Sequence, residues 1–366
     1  MGSEMCIRDR AWAAHSTVCQ SLVDEGFEAM PAGLGAAEST AEFNRRFPEV
    51  ASLPVDERPA FMFPRLFGTV RAAPMLADLL PIVRHWKPTL IINEAGEFAA
   101  PIAAAAGGIP SITHAFGGLT PLDRVAAAGA EVAPLWEAHG LEPQAYGGLY
   151  QHLYLDIYPT SLQIADLAHV PSIQPLRPVA FAIAGTESPP DWLDSDSPVP
   201  LVYVTFGTVF NQDVAMIRTV IEAVRELPVR VIVTVGPNGD RDAFGRQPRN
   251  VSVARYIPQT TLLPFCAAVV SHAGSGTFLA ALARGLPQVC LPQAADQFLN
   301  AAACEHAGAG VSIDPRAISL ETVRAATHRV IADESIPLAA QRLGKEIAAM
   351  PAPAAVAAAV SERFGR

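Results

Sequence analysis

Basic residues are scarce in this chain: 26 lysines and arginines stand against 36 aspartates and glutamates, a formal charge of -10. Nucleic-acid affinity rests on clustered cations that neutralise phosphates, so that partner class is excluded, and no basic run offsets the deficit. Cysteines are also few. The five, Cys6, Cys19, Cys266, Cys290 and Cys304, are odd in number and show neither CxxC nor Cys/His ligand spacing. That pattern excludes a disulfide framework and a zinc site, and reads as reduced thiols. Apolar runs such as Pro101–Pro110 are rich in Ala and Gly and too short to span a bilayer. No charged-then-apolar start suggests a signal peptide, so the cytoplasm is the expected compartment and no stable membrane anchor is expected. A first-strand GxGxxG with an acidic residue about twenty positions on is missing, which sets aside a nicotinamide-dependent oxidoreductase; GxxxxGK[ST] is missing too.

What is present is apolar: the hydrophobic residues make up 50% of 366 positions, too long a chain for one core, so two domains are expected. From Pro200 onward, short β-branched runs alternate with amphipathic segments: PLVYVTFG, Asp213 to Glu226, VRVIVTVG, NVSVARYI, AAVVSHAG, a helix from Phe278 to Arg284, then PQVCLP. Such alternation is the mark of a parallel, doubly wound α/β sheet. The first half repeats the signal more weakly: a helix over Ala11 to Glu25, a strand in GFEAMPAG, a helix over Leu76 to His85, then strands in PTLIINEAG and PSITHAFG around a helix from Phe98 to Gly107. The expected division is 1–10, MGSEMCIRDR, a segment foreign to the fold; 11–184, a Rossmann-like domain; 185–198, a Pro-, Ser- and Asp-rich linker; and 199–366, a second Rossmann-like domain ending in helices broken at Pro351 and Pro353. Two such domains face each other across a cleft, with ligands beyond the carboxyl ends of the strands.

The richest segment is AAVVSHAGSGTFLAALARGLPQVCLPQAADQFLN, residues 267–300. A buried strand ends at His272, and Gly274, Ser275, Gly276 and Thr277 lead into a helix. Glycines let backbone approach a ligand, and a helix N-terminus presents unpaired N–H groups and partial positive charge, a cradle suited to a diphosphate. His272 beside it can donate a hydrogen bond to a phosphate oxygen, more strongly if protonated. The next strand delivers Asp296 and Gln297, a carboxylate and an amide suited to sugar hydroxyls; Asp296 is equally readable as a helix N-cap.

Taken in order, Tyr256-Ile257-Pro258-Gln259, His272 to Thr277, Gly285 to Pro287, Pro292 and Asp296-Gln297 resemble the signature of family 1 glycosyltransferases of the bacterial natural-product type. The resemblance implies the two-domain GT-B fold and a donor that is a dTDP- or UDP-sugar. It implies that Tyr256 stacks on the base, the Ile257 backbone reads the pyrimidine edge and Gln259 belongs to the same donor-binding stretch. Thr208 is then a small hydroxyl near the phosphate; His272 and the N–H groups of Gly274, Ser275, Gly276 and Thr277 hold the diphosphate, and Asp296 and Gln297 hold the sugar. Ala280 stands where the family often has a ribose-binding glutamate, which fits a deoxyribose and so a dTDP-sugar.

In the first half the resemblance covers Pro88 to Gly118. It implies that Glu94 orients a catalytic histidine, and that His114 and Phe116 lie beside the acceptor. The expected reaction is inverting hexosyl transfer to a hydroxyl of a hydrophobic small molecule, without metal or other cofactor, the histidine taking the acceptor proton. Nothing in residues 1–30 matches the family's opening strand and Gly-His loop; His15 looks like a position after the second strand. The sequence therefore predicts a first domain lacking its opening strands, a third strand without a partner, and an unstable or inactive chain. The alternative is a non-catalytic homologue that binds nucleotide or activates a partner enzyme. Asp194-Ser-Asp196 resembles a metal-binding DxD, but it lies in the linker and not at a strand end.

Overall fold

The computed structural model describes residues 10–180, 193, 197–207, 214–236 and 239–365. Each half of the chain alternates parallel strands with helices. In the first half β1 (Ala11–Ala14) and β2 (Glu28–Pro31) pair in parallel across α1 (Ser16–Asp24). Two expectations are corrected here: Ala11 to Glu25 is not one helix, and β2 does have a partner. Ala11–Ala14 is extended because Trp12 packs edge-on to Phe27 and Ala13 reaches the core, while His15, still extended, starts the helix.

Next come α2 (Ala36–Arg46), α3 (Arg58–Phe63), a π-helical stretch Pro64–Arg71 and α4 (Ala72–Trp86). The last three run on as one helical span, Arg58–Trp86, long and apolar enough by length and composition to cross a bilayer. Sequence reading found only its last turns, because Pro59, Pro64, Pro74 and Pro81 punctuate it and each removes a helix donor. Its α4 part buries Ala72, Leu76, Leu79 and Val83 in the first core. A sheet of β3 (Ile91–Glu94), β4 (Ser111–His114), β5 (Leu153–Asp156) and β6 (Ile173–Pro175) follows in that order, with α5 (Ala99–Gly107) and α6 (Leu122–Ala138) as crossovers. Among the described residues β3 is paired only on its β4 side, and the β1–β2 pair forms a separate sheet.

The second half contains β7 (Leu201–Thr205), α7 (Val214–Val224), β8 (Arg230–Thr234), β9 (Val251–Ala254), α8 (Gln259–Leu262) and β10 (Ala268–Ser271). It continues with α9 (Ser275–Ala283), β11 (Gln288–Cys290), α10 (Gln297–His306), β12 (Gly310–Ser312) and α11 (Leu320–Ala332). Strand order is β12-β11-β10-β7-β8-β9, so the winding reverses between β7 and β10. A ligand crevice belongs at that reversal. Helices on both faces leave β7, β8 and β10 nearly wholly buried, which is why they read as unbroken apolar runs. Ile217, Val220, Ile221 and Val224 of α7, at helical spacing, close one face of the core.

α12 (Ser335–Ala349) and α13 (Pro353–Phe364) meet at a 42° bend over the expected proline break. Although last in sequence, α13 packs beneath the first half: Val356 and Val360 lie on Ile112, Leu153, Leu155 and Leu176. Arg177 N–H donates to Pro351 O at 2.9 Å and secures that crossing.

Candidate active site

The carboxyl ends of β7 and β10 flank the reversal, and their loops carry Gly207 and His272–Gly274. Helix α9 starts at Ser275, three residues before the expected Phe278, with Gly274 as its N-cap. Ser275, Gly276 and Thr277 are therefore the first turn itself, where backbone N–H groups have no partner within the helix. A Cβ at Gly276 would meet nothing within 4 Å, so the turn opens onto free space. His272 is buried between two glycines: a Cβ at Gly207 would come within 2.8 Å of its Cε1, and one at Gly274 within 2.5 Å of its Nε2. Ala273 takes a left-handed backbone (φ 61°) to make the turn, a conformation costing an L-residue roughly 1–2 kcal/mol. Burial lowers the His272 pKa, against smaller upward pulls from Asp296 and the Thr205 backbone. The imidazole is thus neutral near pH 7, rather than the cation that sequence reading allowed for, and its buried Nδ1 has no hydrogen-bond partner.

Asp296 sits at the N-cap position of α10, yet its side chain makes no cap bond. Instead Oδ2 accepts from Ser275 Oγ and, at 3.0 Å, from Asn300 Nδ2, so the side chain does not serve as the helix cap. Gln297 is buried, and its Oε1 accepts from the N–H groups of Gln293 and Ala294 at 2.7 and 3.0 Å. Its carbonyl is thus committed to the loop, and Nε2 is the end it can offer a ligand. Ala295 before it is the second left-handed alanine (φ 53°), so both loops facing the reversal carry backbone strain.

The β9 loop brings the remaining donor-side residues. Ile257 is buried, Tyr256 half-buried, and Gln259 Nε2 donates to Thr277 Oγ1 at 2.7 Å, tying this loop to the first turn of α9. Ala280 is buried in α9 among Leu201, Tyr203, Ile257 and Leu262. Thr208 and the Asp194–Asp196 motif lie outside the described residues.

In the first half, Glu94 ends β3 and is the register partner of His114 at the end of β4. Parallel neighbours in register point the same way, so carboxylate and imidazole stand side by side. His114 Nδ1 lies 2.5 Å from Ala115 O; a carbonyl only accepts, so Nδ1 carries the proton and Nε2 its lone pair. Burial lowers the His114 pKa. Phe116 is half exposed beyond it, and the next residue, Gly117, backs onto Ser275 and Asp296 of the second half. His15 sits apart, its Nδ1 2.6 Å from Thr17 Oγ1.

Sequence reasoning missed six residues. Glu97, one helical step past Glu94, has its pKa pushed up to about 7 by burial and then by Glu94, despite the Ala99 N–H that it accepts. Asn300 and Tyr158 carry the bonds beneath Asp296. Beneath Gly207, Tyr203, Thr234 and Thr205 form a buried hydroxyl chain, with oxygens 2.8 and 3.1 Å apart. A signal for that chain existed: LVYVT and RVIVT both end apolar strands in threonine at the crevice.

Two family models match, both described as erythromycin biosynthesis protein CIII-like: the N-terminal domain over residues 60–207 and the C-terminal domain over residues 218–362. L-demethylnoviosyl transferase of Streptomyces niveus is 33% identical over 79% of this chain and 74% of its own length. Tylactone mycaminosyltransferase of Streptomyces fradiae is 29% identical over 93% and 83%. Among solved structures, glycosyltransferase SnogD from Streptomyces nogalater superposes with a TM-score of 0.75 at 25% identity, covering 97% of this chain and 91% of SnogD. Glycosyltransferase SsfS6 from Streptomyces sp. SF2575, complexed with thymidine diphosphate, does so at 0.75 and 25%, covering 96% and 91%. With the strand reversal, the α9 cradle and the Asp296 loop, these likenesses establish that the chain belongs to the bacterial antibiotic-biosynthesis branch of the family 1 glycosyltransferases, sugar transferases of the two-domain GT-B fold.

Proposed function

We propose that this chain moves a hexose from a nucleoside diphosphate sugar, of the dTDP type, to a hydroxyl of a hydrophobic small molecule with inversion. The observation that carries the reading is the first turn of α9 at the strand reversal, open to solvent at Gly276 and flanked by a neutral histidine. Its N–H groups and the His272 N–H would take the diphosphate oxygens, and would stabilise the charge that grows there as the sugar leaves. Tyr256 and the Ile257 backbone would hold the base, and Asp296 with Gln297 Nε2 the sugar hydroxyls. On the facing side Glu94 would orient the family's proton-accepting histidine, which no residue of this sequence matches, with His114 and Phe116 lining the acceptor. The acceptor oxygen then bonds to the anomeric carbon as the bond from that carbon to the diphosphate breaks on the opposite face, which inverts the centre. Residues 1–10 would be a segment foreign to the fold, 11–184 the acceptor half, 185–198 the linker and 199–366 the donor half.

Three facts favour dTDP over UDP. Ala280 offers no hydrogen bond to a ribose; it is buried among apolar side chains, where an inserted carboxylate would be costly; and a related structure was solved with thymidine diphosphate. Titration calorimetry of the purified chain with dTDP and with UDP is expected to give dTDP equal or tighter binding, and His272→Ala is expected to weaken both by about tenfold or more. Distinctly tighter UDP binding would overturn the donor assignment. Unchanged affinity in His272→Ala would overturn the site.

A further inference from the structure

The sugar-holding carboxylate is fastened from the opposite half of the molecule. Asn300, fully buried in α10, shares the two hydrogens of Nδ2 among three acceptors, Ala273 O at 2.8 Å, Ser275 Oγ at 3.0 Å and Asp296 Oδ2 at 3.0 Å. One side chain thus pins the left-handed turn, the first residue of α9 and the carboxylate together. Its Oδ1 accepts from Tyr158 Oη at 2.8 Å, and Tyr158 follows β5 in the first half. The amide has one workable orientation, because a flip would set Oδ1 against a carbonyl and a carboxylate and leave no donor for either. Tyr158 is itself held: its N–H donates to Asp156 Oδ1 at 2.9 Å, its ring lies on Phe278 of α9, and a Cβ at Gly118 would reach within 3.2 Å of it. Burial pushes its phenol pKa up, so the hydroxyl keeps the proton that it donates.

We infer that Tyr158 and Asn300 are positioning residues that set Asp296 and Ser275 for the sugar only while the two halves are in contact. The diphosphate end is built from the backbone of α9 and His272, all of them within the second half. Donor recognition is therefore split: the nucleoside diphosphate is read by the second half alone, and the sugar by the closed pair. This inference rests on the reading that Asp296 holds the sugar.

The test is titration of the intact chain with dTDP and with dTDP-glucose, in wild type, Tyr158→Phe and Asp296→Ala. Tyr158→Phe is expected to leave dTDP affinity within about twofold and to weaken dTDP-glucose by about tenfold, the loss of one buried hydrogen bond. A purely structural role would move both ligands together, and that result would overturn the inference. So would Tyr158→Phe keeping its preference for dTDP-glucose over dTDP while Asp296→Ala loses it. Asp296→Ala keeping that preference would instead overturn the reading of Asp296. If Tyr158→Phe is too unstable to titrate, Gly118→Ala, which presses a methyl on the Tyr158 ring and spares its hydroxyl, must show the same selective loss.

Discussion

Glu97 holds its proton to higher pH than a carboxyl in water would. Its folded pKa of about 7 stands above the ordinary 4.5, so between those values the folded chain binds more proton than the unfolded one. Stability contributed by the protonated form is present at low pH and is lost as pH rises through that window. Glu97→Gln retains an oxygen for the Ala99 N–H and removes the charge. It is expected to stabilise the chain by about 1–3 kcal/mol at about pH 8 and by little at about pH 4, read from urea unfolding at both. Equal effects at the two pH values would show that burial does not govern this group. Glu97 was illegible in the sequence, because a glutamate after a glycine reads as a solvated loop residue until the chain folds over it. The places of His272 and Asp296 in the loops after β10 and β11 were legible, because the apolar runs before them are unbroken. The rest of the Asp296 assembly was not, since Asn300 gains its meaning from Tyr158, 142 positions away in sequence.

At the scale of elements, the turn after β4 meets the start of α9, and Gly117 makes that approach possible. A methyl there would strike Ser275 Oγ and crowd Asp296 Oδ2 at 3.4 Å. Gly117→Ala is expected to hold the halves apart, weakening a dTDP-sugar by about tenfold while leaving dTDP affinity nearly unchanged, as for the loss of one buried hydrogen bond at Asp296. Titration with dTDP and with a dTDP-sugar checks this, and unchanged affinity for the sugar nucleotide would show that the approach is not needed. Five strands of the second sheet were readable, because burial on both faces writes itself as apolar runs between turn residues, whereas the three-residue β12 was not. The first sheet was less so. β5 (LYLD) and β6 (IQP) are too short and too mixed to stand out, and the Ala11–Ala14 strand is Ala-rich enough to pass for a helix. Tertiary pairing, not local propensity, settles such segments.

Across the whole molecule, stability should be uneven. β10 is fully buried between β7 and β11, whereas β3 pairs on one side among the described residues and leaves Ile92 55% exposed. Amides of Ile91–Glu94 are expected to exchange with solvent at least about a hundredfold faster than those of Ala268–Ser271, measured by hydrogen–deuterium exchange and mass spectrometry. Comparable protection would mean that the β3 edge is shielded. A different unevenness follows from where the last helix lies. Because α13 leaves the second half and grips the underside of β4 and β5, a peptide bond broken between Arg177 and Val199 would not set the halves free. The tail would act as a hasp across the cut. Trimming it would strip the floor from the first half, so the last helix belongs, in its effects, to strands some two hundred residues before it.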